Sequence, residues 1–302
     1  MNIDFPRYLD AKYYLDLRSV HTPTLGRLFP YMEKIEYPPK ILELGGGIGA
    51  MFTYLLANDG KAEYIYTLID AAKENIAFIP INVKKRTEAM GFQFKEGGNQ
   101  KYQVSKKQSI YKLQTIWINT EDYINSYLED PVFDIVVASS YLDIVPVPET
   151  LLLLDKIVKK HACLYLPFNY DGLTFLHPII DRYLDDQIIS LYNLSMDNRR
   201  IGGSQTGGSL TGRKLLDWLP EAGYDIVSVG SSDWFLTPFH ERYEGDESYF
   251  LECILQFMTD SVTPLWKDKP ETLGKWLILR HQQLEEGRLS YLAHQMDYMA
   301  LR

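Results

Sequence analysis

Cysteine is nearly absent from this chain. Only Cys163 and Cys253 occur in 302 residues, each inside an apolar, strand-like run. Two such thiols build no disulfide scaffold and fit core positions in a reducing compartment. Neither stands at metal-ligand spacing from a histidine, so no metal site is expected. The stretch from Met1 to Asp10 lacks the basic-plus-apolar pattern of a signal segment, and no apolar run approaches the length of a membrane span. Basic charge is short as well: 31 Lys and Arg stand against 40 Asp and Glu, a formal net charge of -9. A phosphate backbone therefore finds no global attraction, and no basic, aromatic-interleaved stripe offers a local one. These absences predict a cytoplasmic protein with no membrane and no nucleic-acid partner. Internal repeats and low-complexity tracts are missing too.

What is present is ordinary globular material, 46% hydrophobic and 24% charged, enough for one large or two small domains. Aromatics reach 13%, with 22 Tyr, which suits aromatic-walled pockets and half-buried packing surfaces alike. Residues 5–36 read as amphipathic helix ending at Pro38-Pro39. Strand and helix signals then alternate, as in βαβ units around a parallel sheet. Strands are expected at 40–44, 64–69, 114–119, 133–138 and 162–168, with helices near 48–57 and 151–159. Pro178 should open a helix whose apolar face is Ile180, Leu184, Ile188 and Leu191. A loop carrying Gly202, Gly203, Gly207, Gly208 and Gly212 follows, then a helix over 214–222 stopped by Gly223. Residues 224–229 and 249–257 read as two final strands. Residues 271–301 read as largely helical, with Leu284, Leu289, Leu292, Met296 and Met299 on one stripe.

The sharpest local signal is Glu43-Leu44-Gly45-Gly46-Gly47-Ile48-Gly49, directly after a strand and opening a helix. Glycines are needed where the chain turns tightly and a ligand must approach backbone with no Cβ in the way. Asp70 closes the next strand, where a carboxylate can grip two ribose hydroxyls. The strand at 133–138 feeds Ala138 to Asp143 to the same sheet edge. Ligands of open α/β sheets sit beyond the carboxyl ends of their strands, so these pieces converge on one crevice.

The run from Glu43 to Gly49 resembles motif I of Rossmann-like (class I) S-adenosylmethionine-dependent methyltransferases, with Gly45, Gly47 and Gly49 matching its glycines. The resemblance implies that this loop, Gly46 included, lies under the methionine part of the cofactor and that Glu43 orders it. It implies a ribose contact from Asp70 beside Ala71, and an adenine contact from Glu121 or Asp122, Asp122 being favoured. It also implies cofactor-lining roles for Ser139 and Ser140. The fold implied is α/β: a doubly wound, seven-stranded, mostly parallel sheet over roughly 38–258, in one domain. Residues 1–37 would form an N-terminal helical cap, 173–212 an inserted lid and 259–302 C-terminal helices. Two rival readings stay open. Gly45, Gly47 and Ala50 also fit a dinucleotide fingerprint, which would make the chain a nicotinamide-dependent oxidoreductase. A cofactor-binding protein without catalysis is the other.

Methyl transfer is an in-line displacement at a sulfonium, so positioning and desolvation carry most of it, and a base is needed only for a protonated nucleophile. Loops after the fourth, fifth and sixth strands should supply such groups. Asp171, His177 and Asp233 are the candidate catalytic residues, although ordinary turn chemistry explains Asp171 equally well and capping of the next helix explains His177 better. Asp143 could belong to the same crevice, but could equally cap a turn before Pro146. Asn169, Tyr170 and Trp234 are candidate substrate contacts, polar groups beside aromatics being usual in small-molecule pockets. Arg199 and Arg213 bracket the glycine loop and could hold an anionic group of the acceptor. The sequence Ala138-Ser139-Ser140-Tyr141 is not the Asn/Asp-Pro-Pro-aromatic signature of amide or adenine methylation. A small-molecule acceptor is therefore expected, methylation of a macromolecule being the alternative, and a homodimer is allowed for.

Overall fold

The structure, a computed structural model, describes residues 3–58, 63–127 and 130–302. Three helices, α1 (Phe5–Ala11), α2 (Tyr13–Ser19) and α3 (Thr22–Glu33), divide the amphipathic N-terminal segment. Asp4 caps the first, its side chain accepting the Arg7 N–H. Strand β1 (Lys40–Leu44) leads through the glycine loop into α4 (Ala50–Asn58), and β2 (Glu63–Asp70) into α5 (Lys73–Ala89). A hairpin of β3 (Gln93–Glu96) and β4 (Lys101–Lys106) precedes β5 (Ser109–Trp117) and α6 (Thr120–Ser126). Then come β6 (Phe133–Ala138), α7 (Val147–Leu154), β7 (Val158–His177) and α8 (Arg182–Asp197). A short ribbon of β8 (Arg200–Ile201) and β9 (Ser204–Gln205) is followed by α9 (Thr211–Glu221), β10 (Asp225–Ser231) and β11 (Trp234–Leu236). The remaining elements are α10 (Glu247–Val262), α11 (Pro270–Glu285) and β12 (Ser290–Leu301).

The main sheet runs β10-β12-β7-β6-β1-β2-β5-β4-β3, with β11 paired to β12. From β7 through β6, β1 and β2 to β5 all neighbours are parallel, whereas β12 is antiparallel to both β7 and β10. Seven strands make the doubly wound core expected from the sequence, and β3, β4 and β11 extend it. The order reverses between β1 and β6, which opens the crevice at their carboxyl ends. One apolar cluster packs α1–α5, α8, α10 and α11 on one face, and a second packs α6, α7 and α9 on the other. All six residues of β6 are buried, as a central parallel strand covered on both faces requires. Among the described residues no helix is long and apolar enough to cross a membrane.

Several sequence expectations shift. The strand expected at 114–119 is Ser109–Trp117, and the helix expected at 151–159 is Val147–Leu154, with β7 already begun at Val158. Residues 249–257 are not a strand but the middle of α10, where Phe250, Leu251, Ile254, Leu255 and Met258 are all buried. A nine-residue apolar stretch carries no decisive period; here the apolar surroundings continue over sixteen residues, a helical length. Cys253 is accordingly a helical residue, while Cys163 lies in β7. The expected 271–301 helix ends at Glu285, and the closing strand is β12. Its inner face alternates as Tyr291, Ala293, Gln295 and Asp297; the last two are polar, which hid the period of two. The sheet therefore runs to Leu301 rather than closing near residue 258. Pro178 does not open α8, whose cap is Asp181, its side chain accepting the Leu184 N–H at 3.0 Å.

The expected glycine lid also narrows. Gly207 and Gly208 donate backbone N–H bonds to the carbonyls of Val145 (2.9 Å) and Asp143 (3.2 Å), and residues 206–209 are buried. Within residues 199–212 the exposed positions, 200–203 and 205, all belong to the β8–β9 ribbon.

Candidate active site

The glycine loop is shaped by the residues that flank it. Gly45 and Gly47 have φ of 58° and 54°, left-handed values that cost a side chain strain. A Cβ on Gly47 would stand 3.0 Å from the Leu9 side chain above it. The Gly46 N–H donates to the Ile69 carbonyl at 3.0 Å, and the Gly47 N–H to Asp70 Oδ2 at 2.8 Å. Asp70 Oδ1 accepts from the Ala72 N–H (2.8 Å) and from Asn75 (3.2 Å). Asp70 is thus first of all the anchor of the loop. A carboxylate accepts about four hydrogen bonds, which leaves it room for roughly one more. Gly49 does not face the crevice; it lets α4 approach Val83 and Ile79 of α5.

Gly45, Gly46 and Gly47 form the floor of a cleft of about 540 Å³, mouth included, with Glu43 and Ser139 at its inner end. The N-terminal helices roof it with Leu9, Lys12, Tyr13 and Asp16. Glu43 is buried and accepts the Tyr66 hydroxyl at 3.0 Å. Burial pushes its carboxyl up to about 8 against that bond, and the nearby Asp70 charge adds to the rise. Lys12 Nζ pairs with Asp16 Oδ2 at 2.8 Å, contacts Ser140 Oγ at 3.4 Å and lies 4.9 Å from the Trp234 ring centre. Burial raises the Asp16 carboxyl, with Lys12 opposing.

A second cavity adjoins the first. Phe168 lines both, and Ser139 and Ser140 part them, Ser139 on the cleft and Ser140 on the cavity. Its walls include Tyr8, Tyr170, Tyr192, Trp234, Phe257 and Tyr291, and Asp143 enters from the loop after β6. Burial pushes the Asp143 carboxyl up to about 6, while Arg199 and Lys12 pull it down. Ser140 and Phe168 both adopt left-handed φ, 50° and 62°, and strained backbone of this kind clusters at functional sites. The strain is held by the Ser140 N–H bonded to the Pro167 carbonyl at 3.1 Å and by the Phe168 N–H bonded to Asp297 Oδ1 at 2.8 Å.

The sequence-derived candidates divide between this junction and the rest of the fold. Glu43, Gly45, Gly46, Gly47 and Ser139 line the cleft; Ser140, Tyr170 and Trp234 line the cavity. Arg199 reaches the cavity through the field it exerts on Asp143. Ala71, Glu121 and Asp122 lie outside both linings and are exposed. Ala71 accepts the Trp117 indole N–H at 2.9 Å, and Asn119 caps α6 by accepting the Asp122 N–H at 2.8 Å.

The three candidate catalytic residues do not reach the cavity. Successive side chains of a strand point to opposite faces. Tyr170 faces the cavity, so its neighbour Asp171 in β7 turns away from it, while Asp233, in the short link between β10 and β11, is not among the cavity's lining residues. Asp171 holds the start of α9, accepting the Arg213 N–H at 2.8 Å and pairing with its guanidinium at 2.8 Å. Arg213 is therefore engaged with Asp171 rather than offered to an acceptor. Asp233 pairs with His294 Nδ1 at 2.6 Å; burial works against its charge, but bonds from Ser231 and His294 hold its carboxyl below the usual range. His177 is exposed at the end of β7. Asn169 donates to the carbonyls of Leu166 (2.6 Å) and Met296 (2.9 Å), a structural role. Lys12, Asp16 and Tyr192 carry no sequence signal, because their meeting depends on how distant helices pack; Asp143, which could equally have capped a turn, lines the cavity. Among the described residues no cluster fit to hold a metal ion occurs.

No protein-family model matches the chain, and no curated protein matches it. Similar solved structures include a protein of Bacillus halodurans C-125 named as a candidate methyltransferase, at 13% identity over 91% of this chain and 98% of that one, TM-score 0.48. Geranyl diphosphate C-methyltransferase of Streptomyces coelicolor A3(2) shares 8% identity over 92% of this chain and 79% of its own, TM-score 0.42. A SAM-dependent methyltransferase of Methanosarcina mazei shares 14% over 89% and 95%, TM-score 0.44. Identities this low leave the chemistry of the site to the residues of this chain.

Proposed function

We propose that the chain is an S-adenosylmethionine-dependent methyltransferase that acts on a small acceptor through oxygen or nitrogen. The observation that carries this reading is the junction itself: a glycine-floored cleft beyond β1 and β6 that meets an aromatic-walled cavity at Ser139, Ser140 and Phe168. The residues present fit the cofactor. Two left-handed glycines leave the floor free of side chains, and Glu43 stands at the inner end, where the cofactor's ammonium group can meet a carboxyl. When bound, S-adenosylmethionine supplies a methyl group activated by its sulfonium sulfur. The floor would support its amino-acid portion, and Asp70, while holding the loop, would keep one acceptor for a ribose hydroxyl. The roof of α1 and α2 covers the cleft with Leu9, Lys12, Tyr13 and Asp16 and so limits its contact with water, which strengthens each electrostatic contact inside it. Aromatic faces around the cavity favour positive charge on an approaching acceptor. A concave, aromatic-walled cavity of this kind suits a small molecule better than a macromolecule.

Calorimetric titration of the purified protein tests the reading. Saturable binding of S-adenosylmethionine and S-adenosylhomocysteine is expected. Binding of NAD(H) with neither of these would establish the dinucleotide alternative instead. Label from methyl-labelled cofactor should appear in a small molecule of a metabolite extract; label in protein or nucleic acid alone would move the assignment to a macromolecular substrate.

A further inference from the structure

We propose that Asp143 takes the proton of the methyl acceptor and that its charge is coupled to the charge of the methyl donor, an inference that rests on the methyltransferase reading above. Asp143 is the middle residue of a 3₁₀ turn, Leu142–Ile144, directly after β6. Three residues per turn send three successive side chains in three directions. Leu142 enters the core on the α7 side, Ile144 meets solvent, and Asp143 points into the aromatic cavity. Among the described residues lining that cavity it is the only carboxylate. The groups that face it are Tyr8 of α1, Lys12 just after that helix, Tyr192 of α8, and Arg199 beyond it. Burial raises Tyr8 and Tyr192 above their ordinary range, so neither phenol takes up a proton at neutral pH. Burial and the two cations together leave Asp143 near 6, with both forms within reach.

In the step, a lone pair of the acceptor's X–H group forms a bond to the methyl carbon, and the carbon–sulfur bond breaks with its pair remaining on sulfur. The proton of X–H passes to the Asp143 carboxylate. One positive and one negative charge disappear together, and the neutral acid later releases its proton to solvent. The donor carries a sulfonium charge and the demethylated product does not. In adjoining, water-poor pockets that charge favours ionised Asp143. By reciprocity, ionised Asp143 favours the donor over the product. The base is thereby armed when the donor is loaded and relaxes once the methyl group has moved.

Titration calorimetry at pH 6 in two buffers of different ionisation enthalpy reads this coupling without any acceptor. Binding of S-adenosylmethionine should release more protons than binding of S-adenosylhomocysteine, by up to about half a proton per site, because half of Asp143 is protonated there. The excess should vanish in Asp143→Asn. Any contribution from Glu43 is present in both proteins and cancels. An undiminished excess in the variant, or none in the wild type, overturns the proposal. Failure of both ligands to bind would instead remove the methyltransferase reading. Should the variant not fold, the wild type alone can still refute the coupling: its preference for S-adenosylmethionine over S-adenosylhomocysteine is expected to rise roughly fivefold as pH is raised through 6, and a constant preference would overturn the proposal.

Discussion

A carboxyl group with no water around it keeps its proton, and Glu43 is such a group at the floor of the cleft. In the folded chain it stays protonated up to about 8, whereas its ordinary value is 4.5. Between those values the folded state binds more protons than the unfolded one, so stability falls as pH rises across that window and stays lower above it. The urea midpoint should therefore decline from about pH 4.5 to 8, and Glu43→Gln should flatten that decline. Asp16, Asp143 and Asp297, also raised by burial, keep a residual slope. Parallel profiles for the two proteins would show that Glu43 ionises freely. Asp171 behaves oppositely, as a structural residue. Asp171→Ala removes the acceptor of the Arg213 N–H at the head of α9 and should cost about 1–3 kcal/mol of stability, leaving S-adenosylmethionine affinity unchanged. A loss of affinity with intact stability would return Asp171 to the site. The sequence showed Asp171 beside an aromatic, Tyr170, but only the alternation of β7 showed that Asp171 faces away.

Among the elements, α5 has no assignment from the sequence, and the cleft depends on it. Its buried face carries Asn75, Asn82 and Arg86 among Ile76, Ile79 and Val83, so no clean apolar stripe appears. The polar positions are occupied for reasons of assembly. Arg86 donates to Asn82 at 2.8 Å, pairs with Asp10 of α1 and stacks 3.3 Å from the Tyr13 ring centre of α2. One side chain thereby clamps both roof helices to the body of the protein. Arg86→Met, which keeps an apolar stem, should loosen that roof and weaken S-adenosylmethionine binding by roughly 5- to 30-fold, the equivalent of one to two kcal/mol. Hydrogen exchange over residues 5–19 should quicken in the same variant. Unchanged exchange together with unchanged affinity would place the clamp elsewhere. The α3 segment is seated differently, by the His21 N–H bonded to Asp297 Oδ2 at 2.8 Å.

At the scale of the whole molecule the last strand is an interior one. β12 lies between β7 and β10 and also carries β11, so residues far apart in sequence meet across it: Tyr298 pairs with Leu166 and with Val229. Asp297 on this strand holds both His21 and Phe168, linking the cap to the junction of the two cavities. A chain stopped after Arg288 should therefore lose cooperative thermal unfolding, as followed by circular dichroism. Shortening the β3–β4 hairpin should leave it intact, because that hairpin lies at the sheet edge with little buried side-chain surface. Cooperative melting of the truncated chain would show that β12 is an accessory strand.

The alternation of apolar runs and glycine turns determined by itself that the chain forms a doubly wound sheet, since periodicity and turn chemistry are local properties. It also put Asp70 beside the glycine loop, where it accepts the Gly47 N–H at 2.8 Å, because the carboxyl ends of parallel strands share an edge. Tertiary structure decided which polar residues enter that crevice. Lys12 bears on the Asp143 carboxyl from 131 positions away in the chain, and Asp171, beside Tyr170 in sequence, leaves the cavity by the pleat of β7, while Asp233, beside Trp234, pairs with His294 in the link between β10 and β11. Whether residues 249–257 and 290–301 were helix or strand was likewise settled by packing: a run buried on all sides, or one whose inner face carries Gln295 and Asp297, has a period fixed by its neighbours rather than by its own composition.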